Sequence, residues 1–387
     1  MLKTHLTNLP IIPEQFELNH FQEVDYSKLH AKMKSIQEKF INGLIRHYKP
    51  KNLIEIGVAR GGTTVNLLNA ISDIHDSFLV SIDKLNRYYD NGWVSIGSDV
   101  ETAFQNVPFD KWKLITGSDP SNVLDVLSLR YDFAVIDTEH RHPVETLNFL
   151  CLLPFLNDGA IVVLHDVALH LRVNRVDCYA TRVLMSSVVA PKLTHRYENE
   201  IQNIVAFQVV TDTRKYIDNV FDSLFLRWSW QPADVDDIEA VRNLLKKYYS
   251  NDQMVKFEQA YEQNFLLDQI KVFGSEDICE NKKVWQGAVK RNNNIIFYGA
   301  GRNMKFIIKY FAVLDIPFEY TIWDANSIYF RDISGHPISE PDFETRIDKS
   351  VSLIITILNK DIANKVKLQF ESLGYRVFMS LADFLKG

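Results

Sequence analysis

The order of apolar and polar positions divides the chain into stretches of different period. Leu29, Met33, Ile36, Phe40 and Leu44 recur at three- and four-residue steps, which predicts an amphipathic helix. Ahead of it, Pro10 and Pro13 keep the chain extended, since proline fixes φ and lacks a donor. Short apolar runs follow at 52–58, 78–83, 112–117, 132–137 and 160–166, and a run at 203–210 can close a sheet. Such β-branched runs read as strands covered on both faces. Their alternation with helix-length segments predicts right-handed βαβ units in a parallel sheet. The stretch from Val167 to Glu200 carries Arg172, Arg175 and Arg182 and is read as a helix and a loop beside the sheet's carboxyl edge.

Charge and helix formers dominate 216–290, where 233–249 predicts a helix capped by Asp234 or Asp236. The α/β pattern then restarts, with strands at 295–301, 321–324, 352–358 and 376–380 and helices at 302–313 and 361–373. The expected organisation is an N-terminal helical cap (1–50), an α/β domain (51–215), a helical connector (216–290) and a smaller Rossmann-like α/β domain (291–387).

Composition narrows the class. With 387 residues and 46% apolar content, large cores are within reach. A net charge of −6, with basic residues scattered, argues against a nucleic-acid or an anionic-membrane partner. Cys151, Cys178 and Cys279 form neither a metal-type pair nor a disulfide framework, which points to a reducing compartment. No secretory signal and no run of 18 apolar residues is read, so a cytoplasmic protein without a membrane span is expected. Whether it forms a homo-oligomer is left open.

The candidate chemistry begins at Glu55-Ile56-Gly57-Val58-Ala59-Arg60-Gly61-Gly62, between a strand and a helix. Gly57 permits a sharp turn, and Gly61 and Gly62 permit close backbone approach to a ligand. The helix start offers free N–H groups. Glu55 would repel a pyrophosphate but attract an ammonium group. Asp83 ends the second strand, where an acid can accept hydrogen bonds from ribose hydroxyls. Gly117-Ser118-Asp119-Pro120 ends the third, where an adenine amino group can be recognised. An ammonium-bearing nucleoside fits this set better than a dinucleotide.

Over about 50–210 the chain resembles class I S-adenosylmethionine (SAM) methyltransferases, whose first motif Glu55-x-Gly57-x-x-x-Gly61 matches, with Ala59 where many members have glycine. The resemblance implies that Glu55, Gly57 and Gly61 line the methionine end of SAM, that Asp83 holds the ribose, and that Ser118 and Asp119 lie near the adenine. Asp137 is counted with both the cofactor and the acceptor.

The fourth strand ends in Asp137-Thr138-Glu139-His140 and the fifth in His165-Asp166-Val167. A parallel sheet brings both ends to one edge, so Asp137, His140, His165 and Asp166 converge. Two readings stay open. Asp137 and Asp166 share a hard cation such as Mg²⁺, or His140 or His165 is a general base with no metal. This region is similar to oxygen-directed methyltransferases that act on sugars and antibiotic-type molecules. Metal-dependent relatives carry a further Asp or Asn where this chain has Val167. Tyr88, Tyr89 and Trp93 can stack on adenine or on a sugar, and Arg172 and Arg175 can hold an anionic acceptor.

A second glycine turn, Tyr298-Gly299-Ala300-Gly301-Arg302-Asn303-Met304, lacks the third glycine of a dinucleotide fingerprint, and Asp324 follows at a strand end. With Gly335-His336-Pro337, this part resembles small Rossmann-like domains appended to enzymes of bacterial surface-polysaccharide synthesis. The resemblance implies a nucleotide or nucleotide-sugar at Gly299, Gly301 and Asp324, or a scaffold. The leading expectation is a SAM-dependent O-methyltransferase acting on a sugar or a glycan-linked molecule. The alternatives are an oxidoreductase or nucleotide-binding protein working through the second turn, or a non-catalytic SAM-binding module.

Overall fold

The computed structural model describes residues 25–30, 33–89, 91–104, 106–194, 201–229, 235–273, 278–292, 294–314, 320–327, 332–333, 335–343, 351–357 and 359–386. Pro10, Pro13 and Asp234 therefore lie outside the described residues. The chain divides into two compact units, 1–230 with 239–261, and 231–238 with 262–387.

The strands of the first unit are β1 (Asn52–Ile56), β2 (Phe78–Asp83), β3 (Arg87–Tyr88), β4 (Asn91–Ser95), β5 (Trp112–Thr116), β6 (Tyr131–Ile136), β7 (Leu156–His165), β8 (Lys192–Thr194) and β9 (Ile204–Gln208). Its helices are α1 (Ser35–Tyr48), α2 (Gly62–Ile71), α3 (Ser98–Ala103), α4 (Pro120–Leu127), α5 (Val144–Leu152), α6 (Ala180–Ser187), α7 (Thr211–Lys215) and α8 (Asp218–Ser223). Seven strands form one sheet in the order β5-β2-β1-β6-β7-β9-β8. All neighbours are parallel except where β9 runs against β7 and β8. The 203–210 run, expected to close the sheet, instead joins it as a reversed strand between β7 and the edge strand β8. β3 and β4 make a separate hairpin beyond β2.

Both faces of the sheet are covered, as the continuous apolar runs require. Leu53, Leu79, Phe133, Val135, Ile161 and Val163 pack with Ile41 and Leu44 of α1 and Val65 and Leu68 of α2. Their alternates Ile54, Val80, Ala134, Ile136, Val162 and Leu164 are equally buried. α1 begins six residues later than the apolar spacing suggests. The Gln37 side chain accepts the Lys34 N–H at 3.0 Å, which starts the helix there. Leu29 and Met33 are still buried, as chain leading into the helix.

α9 (Val235–Tyr248) and α10 (Asn251–Phe273) straddle the division between the units. Asp236 lies inside α9 rather than at its start. The second unit adds α11 (Ile278–Arg291), β10 (Asn294–Tyr298), α12 (Arg302–Leu314), β11 (Thr321–Trp323), β12 (Asp332–Ile333), β13 (His336–Ser339), β14 (Val351–Ile355), α13 (Lys360–Ser372), β15 (Arg376–Phe378) and α14 (Leu381–Lys386). Its sheet order is β12-β13-β11-β10-β14-β15, parallel apart from the β12–β13 pair. Trp285, Phe297, Met304, Ile354 and Phe384 share one core and Tyr298, Leu353 and Phe370 another. Met304 stands where a third fingerprint glycine would, and it is wholly buried in that core. Among the described residues no helix is long and apolar enough to cross a membrane.

The turn after β1 fixes how closely β1 and β6 approach at their ends. Gly57 has φ +91°, and a Cβ there would sit 2.0 Å from the Asp137 carbonyl oxygen. Gly57→Ala combines left-handed strain with a backbone clash, so it should cost the first unit at least ~3 kcal/mol. Urea denaturation checks this, and wild-type stability would disprove the close approach.

Candidate active site

Four strand ends meet at the carboxyl edge of the first sheet: those of β1, β2, β6 and β7. After β1 the chain turns through Gly57 (φ +91°), Ala59 (φ +50°) and Gly61 (φ +95°) before α2 begins. Asp83, at the tip of β2, holds this turn in place. Its Oδ2 accepts the N–H groups of Val58 and Ala59, each at 2.9 Å, and its Oδ1 accepts that of Leu85 at 2.8 Å. The turn is tied on its other side as well, where the N–H of Gly97 donates to the Ala59 carbonyl (2.9 Å) and that of Asp99 to the Arg60 carbonyl (2.8 Å). Buried Asp99 also accepts from Arg60 Nε at 3.0 Å.

Glu55 faces inward. It has no exposed surface, and its Oε2 accepts from Thr64 Oγ1 (2.7 Å) and Ser81 Oγ (2.6 Å) while Oε1 has no partner. Burial pushes this carboxyl up to about 8, against the pull of those two hydroxyls. A neutral, enclosed Glu55 does not present the charge that its place before Gly57 suggests. It braces β1, β2 and α2 beneath the turn.

Asp119 also has a local role. It is the N-cap of α4, accepting from the Ser121 N–H (3.0 Å) and Ser121 Oγ (2.7 Å). The adjoining loop stays close to Asp83, because the N–H of Ser118 donates to the Asp83 carbonyl at 3.3 Å. Gly117 has φ +67°, and a Cβ on it would lie 2.5 Å from Asn86 Oδ1.

The ends of β6 and β7 bring the acceptor-side residues together. His165 Nδ1 lies 3.1 Å from Asp137 Oδ1 and 3.8 Å from Asp166 Oδ1. His140 Nε2 lies 3.5 Å from Asp137 Oδ1 and 3.3 Å from Asp166 Oδ2. Burial alone would lower the His165 imidazole, but Asp137, with Asp166 behind it, reverses this and raises it to about 9. Burial would likewise raise Asp137, yet the charges of His165 and His140 hold it below the usual carboxylate range. Asp137 and His165 thus form an ion pair at neutral pH, and His165 holds its proton.

Two residues that sequence reasoning missed hold this cluster. Glu145, fully buried on α5, accepts the His140 N–H at 2.6 Å and Thr138 Oγ1 at 3.0 Å, and it stands 3.5 Å from His140 Nδ1. Asn203 donates through Nδ2 to Asp166 and accepts the Ala168 N–H at 2.9 Å. Asn203 lies just before reversed β9, so the long separation hid it. His140 (φ +60°) and Asp166 (φ +61°) are both left-handed, a conformation that surrounding contacts must hold in place.

A doubly wound seven-stranded sheet with one reversed strand, a glycine turn after its first strand and an acid at the tip of its second defines the class I architecture. The first unit has that architecture, the fold of class I methyltransferases. Residues 54–167 match the model of a family described as a methyltransferase domain. The comparison with curated proteins finds no match. Among solved structures, the chain is similar to the O-methyltransferase TomG from Streptomyces achromogenes in complex with SAM, at 19% identity and a TM-score of 0.36, covering 46% of this chain and 81% of that one. It is similar too to an O-methyltransferase from Bacillus cereus in complex with SAH (the demethylated product), at 17% identity and a TM-score of 0.35, covering 47% and 84%. Likenesses this distant do not bear on the chemistry of this chain.

Burial of Glu55 has a measurable cost. Its folded pKa of about 8 exceeds the unfolded value of 4.5, so the native state keeps a proton that the unfolded chain loses. The penalty is absent below pH 4.5, grows as pH rises to about 8, and is constant above that. Glu55→Gln should therefore gain stability over wild type as pH rises, of order 4 kcal/mol at pH 9, with little difference at pH 5. Melting curves across that range check it, and a pH-independent difference would show Glu55 to be ionised in the fold.

Proposed function

We propose that the first unit transfers the methyl group of SAM to a hydroxyl oxygen of a sugar or a glycan-linked small molecule. The observation that carries this reading is the meeting of the clamped glycine turn with the Asp137–His140–His165–Asp166 cluster, at the ends of adjacent strands. Gly57 packs on Asp137 itself, so donor and acceptor sides share one wall. Methyl transfer is an in-line displacement at the methyl carbon. Holding the two reactants in line provides most of the rate, with no covalent enzyme intermediate. Asp83 anchors the turn and keeps lone pairs for ribose hydroxyls. The acid and imidazole groups suit an oxygen nucleophile, which must shed a proton as it attacks.

The cluster also fits a divalent cation. Asp137, His140 and Asp166 each offer one donor atom, all within 4.8 Å of one another. Val167 is buried and offers none, so His140 completes the set. One imidazole with two carboxylates suits Mn²⁺ or Fe²⁺ as well as Mg²⁺, and such an ion lowers the pKa of a bound hydroxyl. Glu145 would orient His140 from its other ring nitrogen, as partners of metal-bound histidines do. With no ion, an imidazole of this cluster would take the proton, and His140→Ala and His165→Ala tell which.

The second unit supports a further reading, a nucleotide or nucleotide-sugar at Gly299, Gly301 and Asp324. Asp324 Oδ2 accepts the Ala300 N–H at 2.7 Å, and Gly301 has open space where a Cβ would stand. Titration calorimetry with a uridine diphosphate sugar tests it, and absence of heat would leave that unit a scaffold.

Calorimetry with SAM and with SAH tests the main reading. Both should bind, and Asp83→Ala should weaken SAM by about 1–3 kcal/mol because it leaves ribose hydroxyls and turn amides unpaired. Absence of heat with either would overturn the cofactor site. Release of SAH should then follow with hydroxyl-bearing sugars and not with amine acceptors. Asp166→Asn and His140→Ala should each abolish or strongly weaken Mn²⁺ binding. Turnover that survives both substitutions and chelation would remove these residues from the chemistry.

A further inference from the structure

We propose that the carboxyl edge of the first sheet, which holds the methyltransferase crevice, docks onto an anionic phospholipid surface. Two segments project from that edge on either side of β1 and β6. The first is the excursion after β2, where Tyr89 and Trp93 stand out from the β3–β4 hairpin, Trp93 being 77% exposed. The second follows β7 and reads Leu171-Arg172-Val173-Asn174-Arg175-Val176, all of it exposed, with Val173 at 95%. Ile201, also exposed, leads into reversed β9 and so lies at the same edge.

Burial normally claims side chains like these, and several apolar groups rimming one crevice mark a surface that meets something. The charges identify what it meets. Arg172 and Arg175 alternate with the aliphatic residues, and neither has an ion-pair partner among the described residues. By contrast, Arg141 on the neighbouring loop is paired with Asp177 at 2.9 Å. Apolar tips flanked by unpaired arginines, with Tyr and Trp opposite, match the apolar, aromatic and cationic make-up of interfacial membrane contacts. The chain's net charge of −6 opposes general attraction to anionic lipid, so the attraction must be local to this edge. Arg172 is near enough to the reaction cluster to act on the His165 imidazole. Docking here would therefore set the crevice against the lipid surface, where a membrane-held hydroxyl could reach it.

Flotation of the full chain with vesicles tests this. Wild type should float with phosphatidylcholine–phosphatidylglycerol vesicles of about 70:30 composition, and salt should weaken it, since headgroup attraction is screened. It should float poorly with pure phosphatidylcholine. Arg172→Ala with Arg175→Ala should bind roughly 25-fold more weakly, at about fivefold per arginine. Val173→Asp should lose binding, since it places an anion at the inserted tip. SAM affinity, measured on the same variants, should stay at the wild-type value, which separates a docking defect from misfolding or failure of the cofactor site. A wild-type chain that ignores both vesicle types overturns the proposal, as does binding that the variants leave unchanged. A dimer that Val173→Asp abolishes would instead assign the surface to a second copy of the chain.

Discussion

One interaction recurs wherever this chain builds a ligand-type crevice: the acid at the tip of a sheet's second strand accepts the N–H groups of the turn after its first. Asp83 does so for Val58 and Ala59, and Asp324 does so for Ala300. Each also accepts the N–H two residues ahead, from Leu85 and Asn326. In both units the turn's glycine donates to the carbonyl just before the acid, Gly57 to Ile82 and Gly299 to Trp323. The sequences of the two units share little, yet the same problem meets the same solution. A glycine turn is loose, and charge-assisted bonds from a carboxylate fix it at low cost. A carboxylate has more lone pairs than these bonds use, so the group that fixes the turn can still meet a ligand's hydroxyls.

The acceptor side of the first unit is held differently. There the backbone carries strain at His140 and Asp166, and side chains from distant segments keep it in place. Glu145 takes the His140 N–H, while Asn203 bridges Asp166 and Ala168. Opposite charges then fix the interior of the cluster. The Asp137–His165 pair keeps both partners ionised despite burial, because each offsets the other's desolvation. An imidazole committed in this way is a poor proton acceptor.

Much of this was legible from the sequence, for a geometric reason. Parallel strands with helical crossovers send every strand end to one edge, so naming the strands predicted that Asp137, His140, His165 and Asp166 would converge. Orientation within a strand was harder to read. Glu55 was expected to face a ligand, but it lies two residues from Leu53. Strand side chains repeat with period two, so Glu55 shares the core-facing side of Leu53 and points at Thr64 and Ser81. Asp119 stands before Pro120 and Ser121, a pattern that reads as a helix cap, and the structure uses it as one. Glu145 and Asn203 carried no local signal, since each acts on residues that only the folded topology brings near.

The glycines separate what the fold needs from what it leaves free. Gly57 is required by the Asp137 carbonyl, Gly61 by Val100 and Gly97, and Gly299 by Thr356 and Ile357. Gly301 has no left-handed backbone, and among the described residues no atom lies within 4 Å of a Cβ position there. Space at a helix start beside a clamped turn is what an approaching ligand would use. Among the described residues, the single cluster able to hold a metal ion is Asp137, His140 and Asp166, and Met304 packs into the core where a dinucleotide would need glycine. The residues proposed for methyl transfer thus lie in the first unit, and what the second offers a ligand is a clamped turn with space at Gly301.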